Sequence, residues 1–108
     1  MANPVDPLDE TIHTKARLGI LVVLATEGPL DFPALRAALG LTDGNLSSHL
    51  RTLEEAGYVA IQKQFRGRKP STRIRLTPTG REALETYLEQ LARLIQQVLP
   101  DGRPRPPT

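Results

Sequence analysis

The chain has 108 residues, 39% of them hydrophobic, so it is long enough for one small core and too short for two. It has no cysteine, which excludes disulfides, thiolate metal sites and redox switching. It also lacks any run of about 18 apolar residues, so no membrane span is encoded, and we expect a soluble cytoplasmic protein.

The net charge of +2 conceals an uneven distribution of charge along the chain. Residues 1–60 contain 4 basic and 8 acidic side chains, and residues 76–108 contain 4 of each sign. The intervening residues 61–75 contain six basic side chains and no acidic one. The basic excess therefore comes from one short segment, which is a candidate for contact with phosphate groups.

The first part of the chain predicts an arm followed by a helix. Residues 1–7 contain two prolines and are expected to form an extended arm. Residues 8–26 predict a helix, with Asp9 and Glu10 in its first turn, where acidic side chains are favourable. Its second half, residues 18–24, is apolar nearly all round, which is typical of a helix that is buried on more than one face.

Residues 33–59 predict two short helices joined by a tight turn, after at most a very short strand at residues 30–32. In each helix the apolar side chains fall on one face. They are Leu35, Ala38 and Leu39 in the first, and Leu46, Leu50 and Leu53 in the second. Gly40 is placed to end the first helix, and Thr42 or Asp43 to cap the second. Such a pair is a helix-turn-helix, whose second helix enters the major groove of DNA.

The outer face of the second helix, residues 43–56, carries short polar side chains around a single arginine. Short side chains let a helix sit deep in a groove, and Arg51 and Asn45 have donors suited to base edges. We therefore predict contacts with the major groove for Gly44, Asn45, Ser47, Ser48, Arg51 and Thr52. An outer face that is merely solvated would use the same residue types, so this helix alone does not decide between the two interpretations.

Residues 58–76 predict a β-hairpin directly after the helix-turn-helix. Residues 58–64 and 72–76 alternate apolar and polar side chains, and residues 65–71 have the glycine and proline of a connecting loop. Two strands with a basic tip at this place form a wing. We predict contacts with the DNA backbone or minor groove for Lys63, Arg66, Arg68, Lys69 and Arg73. Basic residues also protect exposed sheet edges, but about two or three would be enough for that.

Thr77 and Pro78 predict the start of a long last helix, with Thr77 as its cap and Pro78 in its first turn. This helix, residues 78–99, has an apolar stripe that extends beyond what a small domain can cover. We predict that the stripe holds a homodimer together through Leu84, Leu88, Leu91, Ile95 and Val98. Residues 8–99 would form one domain, and the proline-rich residues 100–108 are expected to be a disordered tail.

The predicted fold is mainly α with a small β-hairpin, in the α+β class: a winged helix-turn-helix with an added C-terminal dimerisation helix. The order of the elements resembles the small winged helix regulators of the multiple-antibiotic-resistance (MarR) and arsenic-repressor (ArsR) superfamily. The resemblance is closest to their compact one-domain transcriptional regulators and covers residues 9–98. Its most specific parts are LTDGNLSSHLRTLEEAGYV, residues 41–59, and GRKPSTRIRLTPTGREAL, residues 67–84.

This resemblance implies a function and roles for particular residues. It implies that residues 43–56 read the major groove, that the wing, residues 65–71, touches the minor groove or backbone, and that the terminal helices form a homodimer. The chain departs from the resemblance at Ile74, where relatives often have an aromatic residue. It departs again in lacking cysteine, with which arsenic-repressor relatives detect metals, so we expect neither a metal nor another cofactor.

Two classes of function compete with DNA-binding regulation. Catalysis has little support, because His13 and His49 are the only histidines and no catalytic or metal-ligand spacing is present. A winged helix that binds a protein partner or RNA is the stronger alternative, since fold alone does not give function. The basic wing beside a helix with small outer residues favours double-stranded DNA. A two-fold dimer would bind an inverted-repeat operator, and the effector, if one exists, stays unknown.

Overall fold

The computed structural model describes residues 2–101. Within these residues, four α-helices and three β-strands follow one another in the order α1 (Lys15–Glu27), β1 (Leu30–Asp31), α2 (Phe32–Leu39), α3 (Asp43–Glu55), β2 (Val59–Arg66), β3 (Lys69–Leu76) and α4 (Pro78–Val98). The strands form one antiparallel sheet in the order β1-β3-β2. This architecture confirms the predicted α+β winged helix-turn-helix. No helix in the described part of the chain is long and apolar enough to cross a membrane.

The N-terminal segment, residues 2–14, corrects the predictions of an extended arm and of a helix from residue 8. It folds into consecutive turns, in which Asp6 N donates to Asn3 O and Leu8 N donates to Val5 O. Leu8 and Ile12 are buried in the core, although both lie before the start of α1.

The turn at Asp9 explains why α1 starts late. The Asp9 carboxylate accepts a hydrogen bond from Thr11 N at 2.8 Å, and this side-chain bond competes with helical pairing. Helix α1 starts only after Thr14, whose hydroxyl accepts from Arg17 N at 3.1 Å. The acidic residues at positions 9 and 10 therefore lie outside the first turn of α1.

The helix-turn-helix forms as predicted, and its caps are those that its sequence specifies. Gly40 ends α2 in the left-handed conformation, with φ of 62°, a region that residues with a Cβ rarely occupy. The Thr42 hydroxyl caps α3 by accepting from Asn45 N at 3.1 Å. The three apolar residues on the inner face of α3 are buried: Leu46, Leu50 and Leu53. They pack with α1 and α2 in a single core.

The hairpin differs from its prediction in the length of its loop. The strands extend to Arg66 and Lys69, so the connection is a two-residue turn, Gly67-Arg68, instead of a loop over residues 65–71. Gly67 has φ of 65°, as the first residue of a tight hairpin turn can require. Strand β1 pairs only with residues 73 and 74 of β3. Pro70 lies beyond this pairing, so the N–H that proline lacks leaves no gap in the ladder between β1 and β3.

The core side of the sheet is built from paired apolar side chains. Val59 lies opposite Leu76, and Ile61 lies opposite Ile74, which also pairs with Leu30 of β1. Ile74, where the resemblance leads one to expect an aromatic residue, is fully buried at the centre of the sheet. Only the base of the hairpin therefore packs on the core, and its tip extends away from the core.

Helix α4 is partly covered by its own chain. Leu84 and Tyr87 are buried, at 4% and 2% exposure. Leu88, Ile95 and Val98 are 42%, 43% and 70% exposed, while Leu91 is half-buried. Leu84 is thus a core residue with almost no surface left for a partner, and we remove it from the predicted dimer interface. Of the predicted disordered tail, residues 102–108 lie outside the described residues.

The start of α4 is fixed against the turn that follows α3. Thr77 N donates to Tyr58 O at 3.1 Å, and the Thr77 hydroxyl donates to Gly57 O at 2.6 Å. The same hydroxyl accepts from Gly80 N at 2.9 Å and so caps the helix. Gly80 is buried, and its backbone lies directly against that of Tyr58. Only glycine fits here without a shift, because a Cβ at this position would lie 2.0 Å from the Tyr58 carbonyl oxygen.

The Gly80→Ala substitution should therefore destabilise the fold. The added methyl group would collide with backbone, which cannot rotate away as a side chain can, and we expect a loss of about 2–3 kcal/mol in the free energy of unfolding, measured in urea.

Gly44→Ala is the matched control. No atom lies within 4 Å of a Cβ built at Gly44 in α3, so alanine should stabilise the helix by about 0.5–1 kcal/mol. Equal stability of the two variants would contradict the close contact at Gly80.

Candidate nucleic-acid interface

The outer face of α3 is a continuous polar surface. Five of the six residues predicted for the major groove are exposed: Gly44, Asn45, Ser47, Ser48 and Arg51. Thr52 differs, since it is half-buried and its hydroxyl donates to Ser48 O at 3.3 Å within the helix. Of the six residues, Thr52 is therefore the least available for contact with DNA. Around Arg51, the described part of the chain has no carboxylate within ion-pair distance, so its guanidinium can bind an incoming group.

A groove of about 490 Å³ separates α3 from the wing. Ser47, Arg51 and Glu54 form its α3 side, and Lys63 and Thr72 form its wing side. Its floor is apolar and consists of Phe32, Leu50 and Ile61. The groove thus brings the predicted Arg51 and Lys63 together, although they lie on different elements.

Glu54, which is not among the predicted site residues, is the one acidic residue that lines this groove. The signal was present, because Ser47, Arg51 and Glu54 are separated by four and then three residues and so share one helical face. A carboxylate at this place lowers the positive potential that Arg51 and Lys63 create. It can also accept a hydrogen bond from a cytosine amino group in a major groove.

The basic residues of the wing lie on two faces of the hairpin. Successive side chains of a strand point to opposite faces. Lys63 therefore shares the face of Ile61, which is turned toward α3. The other four strand residues lie on the opposite face: Arg66, Lys69, Arg73 and Arg75. Arg68 occupies the turn itself.

Arg66 leans back along the opposite face toward the start of α2. One of its terminal nitrogens lies 3.7 Å from Asp31 Oδ2, while Asp31 Oδ1 accepts from Ala34 N at 2.9 Å as the cap of α2. The Arg66 side chain is 69% exposed, so this ion pair contributes little to stability. Arg68 and Lys69 are exposed at the tip and have no ion pair with any residue of the described range.

Helix α3 is held in place by polar contacts with the N-terminal segment and α1. Arg17 Nε donates to Thr11 O at 2.5 Å, and Arg17 also donates to His49 Nδ1 of α3 at 3.2 Å. Tyr58, just after α3, donates its hydroxyl to the Asp9 carboxylate. This hydrogen bond, with burial and the Asp9 charge, raises the pKa of Tyr58 to about 12, so the phenol stays protonated at neutral pH.

Both histidines have structural partners. His49 accepts a hydrogen bond from Arg17, and His13 Nδ1 shares a hydrogen bond with the Tyr87 hydroxyl at 2.7 Å. His13 precedes α1 instead of lying within it. In the described range, no three His, Asp or Glu side chains are grouped so that they could hold a metal ion.

Comparison with known proteins identifies this architecture. The model of a winged helix DNA-binding domain family matches residues 16–95. The chain belongs to the winged helix DNA-binding domain family. The match begins in α1 and ends in α4, so it includes the helix-turn-helix, the wing and most of the last helix.

Individual relatives of this winged helix protein agree with the family. An uncharacterized protein of Methanocaldococcus jannaschii is 35% identical over 86 residues, which are 80% of this chain and 94% of that protein. The structure of a transcriptional regulator homologue from Pyrococcus horikoshii is 32% identical with a TM-score of 0.80, over 84% of this chain and 90% of that one. A putative transcriptional regulator from Salmonella typhimurium is 26% identical with a TM-score of 0.66, over 85% and 80%.

The winged helix protein is accordingly a DNA-binding regulator, in agreement with the resemblance of its sequence to small regulators of the MarR type. The family is one of transcription regulators and not of enzymes, which confirms the expectation that the chain has no catalytic function.

The carboxylate in the groove leads to a prediction about affinity. Glu54→Gln should raise the affinity for duplex DNA of random sequence by about threefold at low salt, since one repulsion of about 0.7 kcal/mol is lost for charges roughly 6 Å apart in water. Fluorescence anisotropy with a labelled duplex measures it.

Glu85→Gln is the control, because Glu85 is an exposed residue of α4 and its substitution changes the net charge by the same amount. It should raise the affinity for random duplex DNA by less than Glu54→Gln does. A lower affinity of Glu54→Gln for one particular sequence would show instead that Glu54 accepts a hydrogen bond from a base.

Proposed function

We propose that the chain is a sequence-specific transcription regulator that binds double-stranded DNA as a homodimer. The observation that carries the proposal is the groove between α3 and the wing, with Arg51 on one side and Lys63 on the other. A strand of the DNA backbone would pass through this groove. Helix α3 would then enter the major groove, and the wing would reach the minor groove. A cytoplasmic location is part of the proposal.

Sequence reading is assigned to the outer face of α3. Asn45 and Arg51 have donor geometries that match adenine and guanine edges, respectively. Gly44, Ser47 and Ser48 are short enough to allow a close approach of the helix backbone to the bases. Thr52 contributes less, because its hydroxyl is already bonded within the helix.

Positioning on the DNA backbone is assigned to the wing. Lys63 faces the groove, while Arg68 and Lys69 are exposed at the tip, where Arg68 would enter a narrow minor groove. Lys69, Arg66 and Arg73 all lie on the face turned away from α3. Lys69 is exposed at the tip, whereas Arg66 is paired with Asp31 and Arg73 is half-buried further from the tip, so the two arginines would touch only DNA that curves around the hairpin. We therefore give these two residues the smaller share of the binding energy.

Homodimer formation is assigned to α4. Leu88, Ile95 and Val98 leave a row of apolar surface uncovered on its second half, and Leu91 lies half-buried between them. Each apolar side chain that becomes buried contributes roughly 1.5–3 kcal/mol, so self-association is favoured. A two-fold dimer would bring two α3 helices to an inverted repeat with half-sites about 10–10.5 bp apart, or a multiple of that distance.

The proposal is tested by selecting duplexes from a random pool with the purified protein. We expect an inverted repeat to be enriched, and we expect the affinity for it to fall steeply with salt, because phosphate contacts release counterions. A log–log slope near zero would remove the proposal and leave the alternative of a partner-binding winged helix.

Arg51→Ala separates reading from positioning. The variant should lose about 1–3 kcal/mol of binding free energy on the selected duplex and less on random DNA, so the ratio between the two affinities should narrow. Arg93→Ala, which removes the same charge from exposed α4, serves as the control and should leave that ratio unchanged. An intact ratio in Arg51→Ala would mean that another face of α3 enters the groove.

Ile95→Asp tests the dimer. Ile95 is 43% exposed, so a charge at this position can be solvated in the monomer but not in a buried interface. We expect sedimentation to show a dimeric wild type and a folded monomeric variant at micromolar concentration. Gln96→Asp, one residue further along α4 and also exposed, should stay dimeric. A wild type that sediments as a monomer would contradict both the dimer and the inverted repeat.

A further inference from the structure

Phe65 is an aromatic residue exposed near the tip of the wing. Its side chain is 74% exposed, the largest exposure of any large hydrophobic residue in residues 2–101. The only other phenylalanine, Phe32, is half-buried beneath the groove. Phe65 adds little to the core, and an aromatic ring in water is unfavourable, so a role in folding does not explain it.

The alternation of β2 puts Phe65 on the face turned toward α3. Ile61, Lys63 and Phe65 are separated by two residues each and therefore share one face of the strand. Ile61 and Lys63 both line the groove beside Arg51, so Phe65 follows them at the outer end of this groove. Pro70 lies directly opposite Phe65 in the ladder and shares its face. An apolar pair thus ends a groove whose sides are polar and basic.

The surroundings of Phe65 are strongly cationic. Lys63, Arg66, Arg68 and Lys69 all lie within four residues of it, and residues 61–75 contain no acidic side chain. Asp31 pairs with Arg66, which lies on the opposite face, and the one carboxylate that lines the groove is that of Glu54 on α3. A partner that suits this surface must offer negative charge and apolar faces side by side. The DNA backbone does so, because deoxyribose rings alternate with phosphates along each strand.

We propose that Phe65 is a DNA-contacting residue whose ring packs against the deoxyribose of the strand leaving the groove. Lys63 and the tip residues bind the flanking phosphates, and the Phe65–Pro70 pair covers the sugar between them. The contact supplies a part of the affinity that does not depend on counterion release, unlike the contacts of its basic neighbours. This inference rests on the proposed function, since it assigns one more residue of the same DNA-binding surface.

The test compares Phe65→Ala with Phe65→Tyr and Lys69→Ala on a selected and a random duplex across a salt series. Phe65→Ala should weaken binding to both duplexes by about tenfold, which corresponds to about 1.4 kcal/mol, with an unchanged log–log salt slope. Phe65→Tyr keeps the ring and should bind as the wild type does. Lys69→Ala should reduce the magnitude of the slope by about one, as the loss of one phosphate contact requires.

Two controls make the outcome specific to Phe65. Thermal unfolding of Phe65→Ala should match the wild type, because the ring is exposed, and its sedimentation should be unchanged. If Phe65→Ala bound DNA with wild-type affinity, this inference alone would be overturned. Loss of the dimer in Phe65→Ala would also overturn it, because Phe65 would then be a contact between two copies of the chain. Failure of the wild type to bind any duplex would overturn the proposed function together with it.

Discussion

The contact between Gly80 and the Tyr58 carbonyl is the constraint on which the arrangement of the elements depends. Four elements meet at this point: the end of α3, the start of β2, the end of β3 and the start of α4. Thr77 donates two hydrogen bonds, to the carbonyl oxygens of Gly57 and Tyr58, so the start of α4 is attached directly to the turn that follows α3. Helices α3 and α4 are therefore joined directly at this point. In the proposed dimer, the spacing of the two α4 helices sets the spacing of the two α3 helices.

The N-terminal segment strengthens the connection of α3 and α4 from the other side. Asp9 binds the hydroxyl of Tyr58, and His13 binds the hydroxyl of Tyr87 in α4. Arg17, at the start of α1, links the backbone of this segment to His49 in α3. Because these bonds use side chains that are far apart in sequence, the segment behaves as part of the domain and not as an appendage.

Sequence patterns predicted the elements whose signals are local, and missed those set by distant contacts. The buried face of α3, the cap at Thr42 and the start of α4 follow from spacing and from side chains within a few residues. The turns at residues 2–14 do not, since Asp9 is stabilised by a tyrosine 49 residues away. The hairpin loop was predicted too long because Pro70 was taken as a loop residue. The register of the hairpin is needed to say which residues of β2 and β3 share a face, and the burial of Leu84 depends on tertiary packing.

The two-residue turn of the hairpin has a consequence for how such proteins can vary. The face of every wing residue is set by an even or odd count from the base of the hairpin, where Val59 is buried in the core, so a single residue inserted in β2 between Ile61 and Lys63 would turn Lys63 and Phe65 away from α3. Such an insertion would move the opposite row of side chains toward the groove in their place. Homologous wings should therefore lengthen or shorten by pairs of residues, or carry a β-bulge that restores the alternation.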